Sequence, residues 1–217
     1  MEKINIVFFG AGAVAAELTS YIEADTDKSK YNIKGYVCSD DNGYPQWERY
    51  KYKKPYLGYI QEYEIAPDDR FIIALNNYKV KREIVDLIRS KGGKFISFIH
   101  QTSLISNTAI LGEGNVIGPY TIIGPNVVIG DFNSITSQAI ISHDSVIGNY
   151  NFLATSLLCG YNIMGDDNFF GIRSTTNPNI AVGNRNVIKS GMLVDCNIED
   201  DSTVFYKYKE RIIAIPK

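Results

Sequence analysis

The chain has 217 residues, 45% of them hydrophobic and 21% charged, with a formal net charge of −2 and no basic block. That length allows one large domain or two small ones, each with its own core. The composition argues against a nucleic-acid partner, which needs a basic patch, and no segment reaches the roughly 18 apolar residues that span a bilayer.

The opening MEKINIVFFGAGAVAAELTSYI puts Lys3 before an apolar run, as a secretory leader does. The run splits, however, into a strand, INIVFFG, and a helix, AVAAELTSYIEA, that carries Glu17. Between them FFGAGAVAA sets Gly10, Gly12 and Ala15 at G-x-G-x-x-A spacing, which brings backbone N–H groups toward a phosphate at a helix N-terminus. Three readings stay open: a nucleotide or nucleotide-sugar, a dinucleotide such as NAD, or a turn of structural purpose alone. A second strand, IKGYVCSD, ends in Ser39 and Asp40; Asp40 and Asp41 stand a little late for a dinucleotide's ribose contact, and no separate catalytic domain for a hydride acceptor follows. Residues 43 to 59, GYPQWERYKYKKPYLGY, hold the only tryptophan, Trp47, and read as a packed loop or a stacking lid.

A third strand, RFIIALN, is followed by Asn76 and Asn77, which suit either ligand contact at a strand's carboxyl end or capping of the next helix. That helix, YKVKREIVDLIRSKGG, carries Val80, Ile84, Val85, Leu87 and Ile88 at helical intervals and stops at Gly-Gly before a last strand, KFISFIH. Alternating strands and helices predict a Rossmann-like α/β domain with a parallel sheet over residues 1–100.

Beyond it a six-residue period takes over. From Ile105 it picks out Leu111, Ile117, Ile123, Ile129, Ile135, Ile141, Ile147, Leu153 and Cys159. After a one-residue slip it resumes at Met164, Phe170, Thr176, Val182, Ile188 and Val194. This matches neither a helix nor a flat strand and predicts a parallel β-helix: three faces per coil of 18 residues, about five coils over 105–199, one aliphatic residue per face pointing inward. The period specifies architecture and carries no chemistry by itself.

His143 and Asp144, in AIISHDSVIG, stand outside that explanation. Histidine side chains titrate near pH 6.5, and an adjacent carboxylate fixes the ring and raises its basicity, so the pair suits general-base work or decorates a turn. The other histidine, His100, falls at the junction of the halves, where it is expected to cap the solenoid. Cys38, Cys159 and Cys196 are odd in number with no CxxC, against a disulfide framework or zinc site and in keeping with a reducing cytosol.

The stretches VFFGAGAVA, FIIALNN, KFISFIHQTSLIS, IISHDSVIGNYNF, LCGYNIMGDDNFFGIRS and TVFYKYKERII, in this order, resemble the sugar acetyltransferases of the PglD and NeuD type along essentially the whole chain. The resemblance implies that residues 101–217 form a left-handed parallel β-helix with a C-terminal tail. It also implies a cytoplasmic homotrimer with active sites between subunits, serving polysaccharide biosynthesis and using acetyl-CoA and no metal. The implied reaction is direct N-acetylation of a nucleotide-linked amino sugar of the 4-amino-4,6-dideoxy kind, with His143 as general base and Asp144 supporting it. Gly12, Ala13, Val14, Ser39, Asp40 and Asn76 would meet the nucleotide-sugar; Phe152, Gly160, Ile172 and Ser190 would contact the acyl donor. Phe152 stands where family members often carry a second histidine that touches the thioester carbonyl. Phenylalanine donates no hydrogen bond, so the Gly160 N–H is the expected substitute. The slip between Leu153 and Met164 is expected to form a bulge that widens the coil for pantetheine. O-acetylation of a sugar hydroxyl, as on a sialic acid, and a non-catalytic binding scaffold are the alternatives.

Overall fold

The computed structural model describes residues 3–24 and 30–206. Strands β1 (Ile4–Phe9), β2 (Tyr31–Cys38), β3 (Tyr56–Tyr59), β4 (Asp69–Ile73) and β5 (Lys94–Phe95) form one parallel sheet in the order β3-β2-β1-β4-β5. Successive side chains of β1 point to opposite faces and both faces are covered from residue 6 to residue 9, which is why that run is apolar. Ile6 and Phe8 pack with Ala15, Leu18 and Ile22 of helix α1 (Ala13–Ala24), whereas Val7 and Phe9 pack with Ile84, Val85 and Ile88 of helix α3 (Tyr78–Ser90). The expected helices and the first three apolar strands are present, but the expected last strand, KFISFIH, is divided: Lys94–Phe95 closes this sheet and Phe98–Ile99 pairs with the coil that follows. Residues 43–59, read as a packed loop or a lid, instead supply helix α2 (Gly43–Tyr50) and edge strand β3.

Their aromatic side chains are used in packing. Tyr52 stacks on buried Tyr36 with ring centroids 4.1 Å apart, and its hydroxyl donates to the carbonyls of Ala11 and Gly12 at 3.1 and 3.0 Å, bracing the glycine-rich turn from behind. Trp47 stacks on Tyr44 and donates its indole N–H to the Lys54 carbonyl at 2.8 Å.

From Phe98 onward the chain coils as a left-handed β-helix. Its faces have seven strands (Phe98–Ile99 to Thr203–Val204), six strands (Leu104–Ile105 to Leu193–Val194) and five strands (Ile110–Leu111 to Ala181–Val182), all paired in parallel with the coil above and below. The inward residue of each hexapeptide, from Ile117 to Val194, fills a continuous core and is apolar at every position but Thr176, which is buried as well. Between faces the chain turns through one left-handed residue per edge: Tyr120, Asn126, Phe132, Gln138, Asp144, Tyr150, Thr155, Tyr161, Asp167, Arg173, Asn179 and Arg185 all have φ between 49 and 64°. In chain order edge I follows the seven-stranded face, edge II the six-stranded face and edge III the five-stranded face.

The register slip differs from expectation. Ile141 pairs with Leu158, not Cys159, and Leu158 fills the core while Cys159 sits only partly buried at the turn. The left-handed residues at Tyr150 and Thr155 locate the missing residue on edge I, just after Phe152–Leu153. The edge is short by one residue and the strands on either side stay in parallel register, so the slip makes no bulge.

The N-terminal domain is docked onto edge III by α3. Arg82 pairs with Asp167 at 2.9 Å and lies 4.0 Å from the Tyr150 ring centroid; Arg89 hydrogen-bonds Glu113 and lies 5.2 Å from the Phe132 ring. Lys81, only 3% exposed, donates to the Phe132 carbonyl at 3.0 Å and to Ser134 Oγ at 2.9 Å, with no carboxylate partner among the described residues. Desolvation lowers its pKa to about 7. Above that pH the unfolded chain holds a proton that the folded chain has shed, so stability rises with pH from about 7 toward the ordinary lysine range. The expected slope is about 1.4 kcal/mol per pH unit. Chemical denaturation from pH 7 to 9.5 should show this rise in the wild type relative to Lys81→Met; parallel profiles for the two proteins would remove the buried-charge assignment.

Candidate functional site

The strongest cluster of chemistry-bearing side chains is on edge II. His143 Nδ1 lies 2.9 Å from Asp144 Oδ2, and the other carboxylate oxygen of Asp144 accepts from Asn126 Nδ2 at 3.0 Å. Both bonds hold the Asp144 carboxyl below the usual carboxylate range, the Asn126 amide contributing most and His143 next. An ionised carboxylate only accepts, so Nδ1 carries the proton and the lone pair is left on Nε2. The imidazole is 52% exposed, which leaves Nε2 open to an incoming molecule.

Two residues of the next coil border the ring. Tyr161 meets it edge-on, with centroids 5.1 Å apart at 86°. Gly160 lies beneath it: a Cβ there would sit 2.7 Å from His143 Cε1 and 2.9 Å from Nε2, so the ring takes space that any other residue would fill. The Gly160 N–H has no hydrogen-bond partner among the described residues. Asn126 belongs to no sequence motif around His143; the coil period is the signal that finds it, since it stands 18 residues before Asp144.

The expected nucleotide-sugar residues converge elsewhere. Gly12, Ala13, Val14, Ser39, Asp40 and Asn76 all line one cleft of about 340 Å³ at the carboxyl ends of β1, β2 and β4. Gly10 is required by the fold, with φ +100° and the Ala74 carbonyl 3.1 Å from where a Cβ would stand; a Cβ on Gly12 would meet nothing within 4 Å, so its smallness serves the cleft rather than the packing. The asparagine pair divides its work. Asn77 caps α3 through the N–H groups of Lys79 and Val80, and Asn76 faces the cleft. A narrower second cleft shares Val14 and Asn76 and runs between Glu17 of α1 and the coil residues Thr136, Ser137 and Phe152.

The four residues expected at the acyl donor are not gathered on one edge. Gly160 is under His143 on edge II. Phe152 points outward from the seven-stranded face, stacked on Phe169 at 5.1 Å, while Ile172 and Ser190 lie at edge I. His100 sits in the first coil, its ring edge-on to Tyr21 and its Nδ1 2.9 Å from Thr102 Oγ1. Among the described residues no cluster of three or more His, Cys, Asp or Glu is placed to hold a metal ion, and no helix is long and apolar enough to cross a membrane. The segment TVFYKYKERII is described only as far as Tyr206; the rest of the expected C-terminal tail lies outside the described residues.

No family model matches the chain. The UDP-N-acetylbacillosamine N-acetyltransferase of Bacillus subtilis is 25% identical over 110 residues, 51% of this chain and 49% of that protein, so the chain spans about half the length of the curated relative it matches. Among solved structures, the acetyltransferase domain of PglB from Neisseria gonorrhoeae superposes with a TM-score of 0.75 at 20% identity, covering 90% of this chain and 93% of that one. PerB from Caulobacter crescentus, solved with CoA and GDP-perosamine, gives 0.76 at 20% identity and 92% of each chain. In fold over nearly its whole length, and in sequence over about half of it, the chain is similar to the sugar acetyltransferases of the PglD and NeuD type.

Proposed function

We propose that the protein is an acetyl-CoA-dependent N-acetyltransferase acting on the amino group of a nucleotide-linked amino sugar, with His143 as general base. The observation that carries the reading is the imidazole of edge II, held at Nδ1 by Asp144 and open at Nε2 above Gly160. The similarity to a bacillosamine N-acetyltransferase and to PerB, which was solved with CoA and GDP-perosamine, supports the substrate class.

In this reading the nucleotide occupies the cleft at Gly12 and Asp40, and the sugar extends past Val14 and Asn76 into the second cleft. Its amine nitrogen attacks the thioester carbonyl; a C–N bond forms, the C–S bond breaks, and the amine proton passes to His143 Nε2 and on to the departing sulfur. Holding both reactants in one closed site makes the step effectively intramolecular. The unpartnered N–H of Gly160 is suited to meet the carbonyl oxygen as charge develops on it, a task that Phe152 cannot perform.

The two clefts adjoin the N-terminal domain and edge I, whereas His143 projects from edge II. A single chain therefore does not close the site, and we assign closure to a homotrimer in which edge II of one subunit meets the clefts of the next. The outward rows that flank edge II support this: Leu104, Ile122 and Leu157 on one face and Val128, Val146 and Ile163 on the other are exposed and apolar. Contiguous apolar surface of this kind marks an association surface. An acetyl-CoA-dependent reaction and three unpaired cysteines both suit a cytoplasmic setting.

Coenzyme A release in the presence of acetyl-CoA and a panel of nucleotide-linked 4-amino sugars tests the reaction, and an inert protein that gives no calorimetric heat with acetyl-CoA would be a scaffold instead. His143→Ala should lower turnover at least roughly a hundredfold, the scale of a lost general base, with the fold retained. Near-full activity of that variant would end the assignment. Gly160→Ala, which pushes a methyl into the imidazole, should lower kcat about tenfold or more with an unchanged unfolding midpoint; equal activity would mean that the ring need not rest on Gly160.

A further inference from the structure

We propose that Asn126 is a positioning residue of the reaction: its side-chain amide clamps one oxygen of Asp144 so that the other holds His143 in the tautomer with a free Nε2. The inference rests on the general-base reading of His143 and adds a third member to that pair, contributed by the preceding coil.

The geometry is a chain of hydrogen bonds running along edge II across three coils. Thr108 Oγ1 accepts the backbone N–H of Asn126 at 2.9 Å, the Asn126 amide donates to Asp144 Oδ1 at 3.0 Å, and Asp144 Oδ2 meets His143 Nδ1 at 2.9 Å. Asn126 and Asp144 share the left-handed backbone conformation, with φ of 57 and 55°, and stand one above the other on successive coils. This conformation suits asparagine and aspartate, whose short polar side chains tolerate it. Stacking thus delivers the amide to the carboxylate without a flexible arm between them.

The clamp has work to do because the site is open to water. Asp144 has a side-chain exposure of 35% and His143 of 52%, so packing alone does not fix either rotamer. A free carboxylate beside an exposed imidazole can swing into solvent, and the ring then loses both its orientation and its tautomeric bias. With one oxygen tied to Asn126, only the other is available to Nδ1. The amide also keeps Asp144 ionised and accepting, since hydrogen bonds to the charged form favour it. Asn126 touches neither the imidazole nor the reacting atoms in this arrangement, so its influence has to pass through Asp144.

That dependence makes the proposal separable from a general structural role. Alanine at 126 would strain the left-handed turn, so the informative variant is Asn126→Gly, which removes the amide, keeps the N–H donated to Thr108 and is at ease at positive φ. Asn126→Gly should lower kcat about tenfold while leaving KM for both substrates within about twofold, the signature of lost orientation. In an Asp144→Gly background, which is equally at ease at positive φ, the same change should cost less than about twofold, because the group it acts through is gone. Nitrogen-15 correlation spectra of the histidine rings should show His143 protonated at Nδ1 at alkaline pH in the wild type and a tautomer mixture in Asn126→Gly. Asn126→Asp, which turns donor into a second carboxylate, should be at least as impaired as Asn126→Gly. Full activity of Asn126→Gly, an equal loss with and without Asp144, or unaltered His143 tautomers would overturn the proposal. If His143→Ala instead retained activity, the general-base reading would fail, and the tautomer spectra would still report whether Asn126 holds the pair.

Discussion

The register between successive coils is the constraint on which the rest of the structure depends. A β-helix brings residues one coil apart to strand-pairing distance, about 4.8 Å, so a side chain's neighbours are set by the coil count rather than by the local sequence. Here the count is enforced by a buried asparagine ladder. The Oδ1 atoms of Asn115, Asn133, Asn151 and Asn168 each accept the backbone N–H of the next asparagine in the series, up to Asn186, at 2.8 to 2.9 Å. The corresponding Nδ2 atoms of Asn115 to Asn168 donate to the carbonyls of Gly130, Gly148, Gly165 and Gly183. A one-residue shift would leave these buried amides unpaired, at a cost of about 1–3 kcal/mol each. The ladder's last rung shows the rule at its limit, since Asn186 Nδ2 is the one buried side-chain donor without a partner among the described residues.

The same register assembles the site. Asn126, Asp144 and Tyr161 occupy equivalent turn positions on three successive coils of edge II, and His143 is held among them above Gly160. The two glycines that approach His143 are there for different reasons. A Cβ on Gly124 would stand 2.8 Å from the His143 backbone nitrogen, which is a demand of coil stacking, whereas at Gly160 the atoms approached are those of the imidazole itself. Stacking accounts for the first glycine; the second exists to seat a side chain.

This distinction explains what could be read from residues alone. Hydrophobic periodicity exposed the coils because each face must send one aliphatic side chain inward, and the α/β half because its strands are buried on both sides. The glycine-rich turn and Asn76 were legible from their place at strand ends, and the structure brings them into one cleft. What stayed hidden depends on lateral geometry. Leu158 and Cys159 are both acceptable core residues, so composition could not say on which side of them the missing residue fell; the left-handed turn at Thr155 decides it. Helix α2 has no apolar stripe of its own and is held by the edge-on contact of Tyr44 with Tyr56 of β3 and the Trp47 hydrogen bond to the Lys54 carbonyl, so its pattern resembled a loop. Asn126 lies next to Asp144 only once the coil period and the position of the deletion are both known.

The docking of α3 has a consequence for the site as proposed. Lys81, Arg82 and Arg89 fasten the N-terminal domain to edge III, through Phe132, Asp167 and Glu113 in three different coils. A hinge at that junction would have to strip a buried lysine of both its acceptors, so the cleft that carries Gly12 and Asp40 is fixed relative to the coil. On the reading that edge II of one subunit serves the cleft of the next, the distance between sugar and imidazole is then set by subunit packing rather than by domain closure. The deletion on edge I falls beside Phe152 and Thr136, on the wall of the second cleft. On the same reading, shortening that turn, rather than bulging it, shapes the wall between the cleft that carries Gly12 and the imidazole the neighbouring subunit would supply.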